Sequence, residues 1–210
     1  MNLKKVVIDN KLVLHITDEN INDIVSKTKS IIKYCDKNNL IVELIYNSKK
    51  IDEKYLKNDI SNNLRDIITI MHAINIKNIE ERYNYIYDTV CAYLDERIKT
   101  NYCEFKDNIC VKYRKKGSNH ENGCCECKGR GRCKYLIDGV CTMKSCMACK
   151  LFTCHTLKKM GITQNINDFA LTKYFFTTKQ KDILSFSYWT PKEIIMERLL
   201  KESKEKIKKF

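Results

Sequence analysis

Cysteines are concentrated in one short stretch of this 210-residue chain. Of the twelve cysteines, eight fall within residues 124–154, and two more lie just upstream. Thiolates crowded in this way bind metal or form disulfides, and spacings of two to four intervening residues suit tetrahedral metal sites. We therefore predict metal ligation by ten cysteines: Cys103, Cys110, Cys124, Cys125, Cys127, Cys133, Cys141, Cys146, Cys149 and Cys154.

Disulfides are the alternative explanation, and they require an oxidising compartment. The N-terminus begins with basic residues, but Asp9, Lys11 and His15 interrupt the sequence before an apolar core of signal-peptide length appears. No stretch approaches the length of a membrane-spanning helix. We therefore expect a cytoplasmic protein without membrane association, in which clustered thiols stay reduced and available to metal.

Two turn signals predict how pairs of cysteines come together. Segment 103–110 has a cysteine at each end and Asp107-Asn108 at its centre, which is typical of a short hairpin. Segment 133–141 also has a cysteine at each end, and Asp138-Gly139 marks a second tight turn within it. Both hairpins would direct two thiolates toward a common point.

Cys146-Met147-Ala148-Cys149 is the most specific local signal, because a C-x-x-C motif lets two sulfurs bind one ion while backbone N–H groups point at them. The motif occurs in zinc knuckles, iron–sulfur sites and redox dithiols. A thioredoxin-like role is disfavoured, since the flanking sequence lacks a β-α-β pattern and other thiols crowd the motif.

The spacings leave two metals open. Irregular gaps of one to seven residues suit two zinc ions with four thiolates each, and the C-x2-C-x2-C run of bacterial ferredoxins is absent. The only nearby histidines are His120 and His155, so a chain this rich in thiols is also able to hold one or two [4Fe–4S] clusters. Zinc is the leading prediction, and iron–sulfur is the alternative.

The chain is basic, with a formal net charge of +13 and a pI near 9.1. Residues 103–155 contain 11 Lys or Arg against 5 Asp or Glu, but two four-thiolate sites would offset much of that charge. Nucleic acid is therefore a possible partner, bound through loop cations rather than by base readout. The candidate residues are Lys112, Arg114, Lys115, Lys116, Arg130 and Arg132.

Three classes of function follow from the cysteine cluster. The first is a structural or regulatory metal-binding module that recognises another macromolecule, with a protein partner of unknown identity. The second is an iron–sulfur protein that acts in electron transfer or as a redox or radical-chemistry partner. The third, a zinc enzyme, needs a base such as Glu121, Glu126 or His120, and it is the least favoured because no catalytic zinc motif is present.

Asp88, Cys91 and Asp95 share one face of a predicted helix, at spacings of three and four that could hold a metal. We favour a plain interpretation, namely a polar helix edge with one buried cysteine. Cys35 is likewise remote from the cluster, and we expect both Cys35 and Cys91 to be buried and unliganded.

The elements that position these residues predict a helix-dominated α+β fold. Residues 6–8, 12–16 and 40–46 have the composition of strands, and the amphipathic stretch 19–35 opened by Thr17-Asp18 completes a small β-β-α-β unit. Helical periodicity then predicts two long helices within residues 52–100.

A further helix is expected near the C-terminus. Thr190, Pro191 and Glu193 form a strong start signal for a helix that runs toward Phe210, with Ile194, Ile195, Leu199 and Leu200 docked on the core. The predicted domains are an N-terminal α+β domain (1–100), a loop-rich, metal-stabilised cysteine module (101–156) and a C-terminal helical segment that packs on the core (157–210).

The second half of the cluster resembles the YkgJ-type cysteine-cluster proteins, described as a zinc- or iron-chelating domain. The shared features are a cysteine, an aromatic-Leu pair, a Gly-x-Cys turn, and a late Cys followed by a basic residue, an aromatic and another Cys. The resemblance implies metal chelation by Cys133, Cys141, Cys149 and Cys154, with Cys146 as an addition. The family's Tyr-x-x-Arg-Pro sequence is replaced here by residues 142–146.

Overall fold

The computed structural model describes residues 5–98, 105–106, 109–110, 135–137, 140–141 and 146–207. The chain divides into two compact units. The first unit comprises residues 1–86 and 170–175, and the second comprises residues 87–169 and 176–210. The three-segment division stays a prediction, because most of its middle segment lies outside the described residues.

The first unit is built on a sheet that contains β1 (Lys5–Ile8), β2 (Lys11–Ile16), β3 (Ile41–Tyr46) and β4 (Lys49–Ile51). Among the described residues these strands form one four-stranded sheet in the order β1-β2-β3-β4. The β1–β2 and β3–β4 pairs are antiparallel, and β2 runs parallel to β3. The predicted β-β-α-β unit is confirmed, and β4 is an addition that the sequence pattern did not predict.

Alternating side chains and two tight turns explain this sheet. Leu12, Leu14 and Ile16 are buried on one face of β2. Asp9-Asn10 and Asn47-Ser48 have positive φ at both residues, which is the backbone of a two-residue hairpin turn that matches the twist of the strands. Asn tolerates this left-handed conformation, so both turns form without glycine.

Helices α1 (Ile21–Asn38) and α2 (Asn62–Asn75) pack against each other, and α2 also packs on β3. The N-cap of α1 is Asn20, rather than the predicted Thr17-Asp18, and its side chain accepts a hydrogen bond from Thr17 N–H at 2.9 Å. Ser61 caps α2 by accepting from Leu64 N–H. Apolar residues at helical spacing therefore cover the buried face of the sheet.

Asn75 completes the hydrogen bonding of β3. Its side chain accepts from Val42 N–H at 2.6 Å and donates to Val42 C=O at 2.8 Å. β4 pairs with β3 only from Leu44 onward, so it does not reach Val42. Without Asn75, the N–H and C=O groups of Val42 would therefore lose these hydrogen-bond partners.

Helix α3 (Ile79–Ile98) contains the boundary between the two units, and it confirms the second of the two predicted long helices. The other described elements are β5 (Phe105–Lys106), β6 (Ile109–Cys110), β7 (Leu136–Ile137), β8 (Val140–Cys141), α4 (Met147–Lys150), α5 (His155–Lys159), α6 (Ala170–Phe175), α7 (Thr178–Phe186), α8 (Lys192–Ile207) and two 3₁₀ helices, Glu53–Lys57 and Ile166–Asp168. This content confirms a helix-dominated α+β protein.

Both predicted hairpins of the cysteine-rich segment are confirmed. β5 pairs with β6 and β7 pairs with β8, each in antiparallel register. Their turn residues, and Cys103 and Cys133, lie outside the described residues. The hairpins therefore establish where Cys110 and Cys141 lie along the strands.

The predicted C-terminal helix is present as α8, but it begins at Lys192, one residue after Pro191, which the sequence pattern placed at the first helical position. Ile195 and Leu199 are buried, but Ile194 is exposed and Leu200 is only partly buried, so the predicted apolar face was too wide. Gln180 of α7 fixes α8 by donating to Leu199 C=O at 3.2 Å and to Ser203 Oγ at 2.9 Å. Across the described residues, none of the helices combines the length and apolar character that a membrane span requires.

Candidate functional site

The described residues place three of the ten predicted metal ligands with their side chains: Cys146, Cys149 and Cys154. Cys110 lies in β6 and Cys141 in β8. The remaining predicted ligands lie outside the described residues: Cys103, Cys124, Cys125, Cys127 and Cys133. Arg130, Arg132 and the other loop cations also lie outside them. The C-x-x-C motif is therefore the part of the predicted centre whose geometry the structure provides.

Helix α4 presents the motif, and two contacts hold it to α3. The backbone N–H of Met147 donates to the hydroxyl of Tyr87 at 2.9 Å. The ammonium of Lys150 forms an ion pair with the carboxylate of Asp95, and only 3% of the Lys150 side chain is exposed. A four-residue helix has little stability of its own, so these tertiary contacts determine where the two cysteines lie.

The loop between α7 and α8 covers the sulfurs with backbone groups. Trp189 N–H donates to Cys149 Sγ at 3.4 Å, and Cys146 Sγ–H donates to Ser187 C=O at 3.4 Å. Trp189 has a φ of 56°, a left-handed conformation that is uncommon for a bulky residue. The strained backbone of Trp189 therefore coincides with the residue whose N–H donates to Cys149 Sγ.

Other groups around Cys146, whose side chain is fully buried, lower the pKa of its thiol. A hydrogen bond from the Cys149 thiol lowers the pKa of Cys146 to about 6, against the opposing effect of burial. Backbone N–H groups of Cys149, Trp189 and Thr190 act in the same direction. One thiol of the pair therefore loses its proton more readily than an ordinary cysteine, which favours its use as a metal ligand.

Cys154 lies at the start of α5, where its sulfur accepts from Leu157 N–H at 3.5 Å. Within the described part of the chain, no three Cys, His, Asp or Glu side chains are grouped closely enough to hold one metal ion. Cys154 is therefore not placed as a third ligand beside Cys146 and Cys149. A four-thiolate site around the pair needs cysteines whose side chains the structure does not describe.

The second candidate metal site, on α3, has a different explanation. Asp88 accepts from the Lys192 ammonium at 2.8 Å through both carboxylate oxygens, and Asp95 is paired with Lys150. Cys91 between them is buried, and burial raises the pKa of its thiol to about 12. The plain interpretation is confirmed, because both carboxylates serve lysines and the thiol is neutral.

The sequence analysis missed the contribution of residues 187–190. It used Thr190 and Pro191 only as a helix start, and it did not consider Tyr188 and Trp189. The signal available was the chain's single tryptophan beside a tyrosine, immediately before a helix cap. Its pairing with Cys149, forty positions earlier, has no counterpart in local spacing.

No known protein family, curated protein or solved structure matches this chain.

Proposed function

We propose that this chain is a metal-binding protein, and that Cys146 and Cys149 supply two thiolate ligands of one metal site. The observation that carries this proposal is the donation of Trp189 N–H to Cys149 Sγ, beside the buried Cys146. Outer hydrogen bonds of this kind orient ligands and offset part of the negative charge on sulfur. The donor set, two adjacent thiols of which one ionises easily, suits a thiophilic metal.

Zinc is the metal that we propose first, with about two ions per chain. The other ligands would come from the remaining predicted cysteines, all of them in the same segment of the sequence. Bound metal would then supply folding free energy to a region rich in loops, and the module would act as a structural or regulatory surface for another macromolecule. The excess of Lys and Arg in this segment would offset the charge of the thiolate sites.

An iron–sulfur centre is the second candidate, because N–H groups directed at sulfur also tune the potential of such clusters. The resemblance to YkgJ-type proteins is compatible with either metal. An iron–sulfur protein would be expected to transfer electrons rather than to serve as a static surface. The two candidates differ in colour, metal content and sulfide content.

The first test is elemental analysis and an absorption spectrum of the full chain purified without oxygen or chelator. About two zinc ions per chain and no visible band support the zinc proposal. Iron with acid-labile sulfide and a visible band supports the cluster instead. A chain without either metal overturns the proposed function, and a disulfide-linked C-x-x-C motif in that sample would identify a redox dithiol.

The ligand assignment is tested with Cys146→Ser/Cys149→Ser and the control Cys35→Ala. Cys35 is fully buried in α1 of the first unit, so its loss tests general damage to the fold. We expect the double variant to lose about one metal ion per chain and the control to lose none. Cobalt(II) substitution gives a second measurement, since the thiolate-to-cobalt absorption should fall only in the double variant. Full metal content in the double variant would contradict the assignment.

A further inference from the structure

Aromatic side chains are exposed beside the cysteine pair. Phe186 is 69% exposed, Phe152 is 46% exposed and Trp189 is 38% exposed, and Tyr188 lies between two of them in the sequence. Large aromatic rings are normally buried, so their collection in one place on the surface indicates a binding role. We call these four residues the aromatic surface.

Ring contacts hold the aromatic surface together. Phe152 and Tyr188 meet edge to face, with centroids 6.5 Å apart, and the Tyr188 and Trp189 rings are 5.7 Å apart. Phe186 ends α7, and its carbonyl accepts from Tyr188 N–H at 2.9 Å. The rings of Phe152, Tyr188 and Trp189 are thus linked to one another, and Phe186 lies two residues before Tyr188 in the chain.

The loop that carries the aromatic surface is fixed at several points. Trp189 N–H binds Cys149 Sγ, Thr190 Oγ1 donates to Tyr188 C=O at 3.3 Å, and Arg198 donates to Ser187 Oγ at 3.3 Å. A surface held in place before binding loses little conformational entropy when a ligand arrives.

The charge of the chain is concentrated in the unit that carries this surface. The second unit has 24 Lys and Arg against 14 Asp and Glu, which is +10 of the chain's +13. Two four-thiolate zinc sites would offset about 4 of these charges, so the metal-loaded unit would stay cationic. Lys158 and Lys159 in α5 and Arg198 and Lys201 in α8 are exposed. The ligand that matches exposed aromatic rings in a cationic unit is a polyanion with flat, apolar groups.

We infer that the aromatic surface binds single-stranded nucleic acid, with Phe186 and Trp189 stacking on bases and lysines of the same unit contacting phosphates. Single strands are favoured over duplexes because unpaired bases expose the faces on which aromatic rings stack. The inference rests on the proposed function in one respect: bound metal would hold Cys149, whose sulfur holds the Trp189 backbone.

The single tryptophan makes the test direct. Trp189 is the only tryptophan of the chain, so intrinsic fluorescence reports on this surface alone. Titration of the metal-loaded chain with an oligo(dT) strand at low salt should quench the emission in a saturable manner. The affinity should fall steeply as salt rises, because phosphate contacts release counterions.

Phe186→Ala keeps the tryptophan and should weaken binding about tenfold. Ile79→Ala is its matched control, since Ile79 is an exposed apolar residue of the first unit, and it should leave the affinity unchanged. Lys158→Gln/Lys159→Gln should weaken binding and reduce the salt dependence. Lys29→Gln/Lys33→Gln, exposed on α1, removes the same charge from the first unit and should change little.

Each other outcome of the titration overturns the inference. These outcomes are absence of quenching at low salt, equal affinity of Phe186→Ala, and equal binding of a duplex of the same sequence, which would indicate charge alone. If the chain does not bind oligonucleotides but Trp189 becomes buried when a protein binds, the aromatic surface is a protein-binding site instead. Metal content is measured in the same samples to separate the two proposals. Bound metal without fluorescence quenching supports only the proposed function. Quenching in a chain without bound metal supports only this inference.

Discussion

Two buried cysteines, Cys35 of the first unit and Cys146 of the second, have different surroundings. In the first unit, Cys35 lies among the apolar residues of α1, where it acts as a small hydrophobic side chain. In the second unit, Cys146 is equally buried, but Cys149 and three backbone N–H groups face its sulfur. Burial alone therefore does not indicate the role of a cysteine; the hydrogen-bond donors around the sulfur do.

The units also differ in which polar groups they bury. The first unit buries Thr28, whose hydroxyl donates to Ile24 C=O within the same helix. The second unit buries the charged Lys150 and the amide of Gln180, and both bind partners in other elements. These buried polar side chains of the second unit therefore link different elements, whereas Thr28 binds within its own helix.

Removal of metal should have the largest effect and should act on one unit. Structural zinc typically contributes about 10 kcal/mol or more of apparent folding free energy, so a chelator should expose α4 and residues 186–190 to rapid hydrogen exchange. The strands β2 and β3 should keep their protection, because their core contains no predicted ligand. Equal protection of both units before and after chelation would remove the distinction between them.

The Lys150–Asp95 pair gives a prediction of intermediate size. Asp95→Asn leaves a buried ammonium without its counter-charge and should lower the free energy of unfolding by about 2 kcal/mol, since 51% exposure of the Asp95 side chain lets water compensate in part. Lys150→Met should be close to neutral, because it removes the charge and keeps the apolar stem. Denaturant unfolding checks both variants, and a greater loss in Lys150→Met than in Asp95→Asn would contradict the explanation.

Asp66 of the first unit gives the smallest effect, and the size of that effect depends on pH. Burial raises the pKa of Asp66 above its ordinary value of 3.8. The folded chain therefore keeps this proton to higher pH than the unfolded chain, and stability is lost as pH rises through that window. At pH 7, Asp66→Asn should increase the free energy of unfolding by about 1 kcal/mol or less. A slightly higher melting temperature is the measurable result.

The advantage of Asp66→Asn should disappear as the pH falls below 3.8, where both states are protonated. Asp59→Asn, at an exposed position just before α2, serves as the control and should have little effect at either pH. A stabilisation by Asp66→Asn that persists unchanged in acid would show that burial of the charge is not its cause.

Much of the fold could be predicted because its signals are local. Alternating apolar residues in β2, helical periodicity in α2 and the turn residues Asp107-Asn108 and Asp138-Gly139 each act within a few positions. β4 was missed because its three residues are too few to show a period, and its turn, Asn47-Ser48, lacks the usual glycine.

The site was predictable only in part, because several of the groups that contact its sulfurs are backbone N–H groups. The C-x-x-C motif identifies Cys146 and Cys149 by residue type. The N–H groups that face them belong to Trp189 and Thr190, and a backbone N–H has no residue-type signal. The aromatic surface was missed for a related reason, since exposure depends on how α7 and the following loop pack.

The sequence by itself determined the first three strands, the long helices, the hairpins of the cysteine-rich segment and the presence of two thiols at C-x-x-C spacing. Only the tertiary structure decided that Trp189 reaches Cys149, that Lys150 is buried against Asp95, and that Asp88 binds Lys192. These partners lie 40, 55 and 104 positions apart. Local patterns encode periodicity and turns, whereas contacts over such separations form only when the packed elements bring distant segments together.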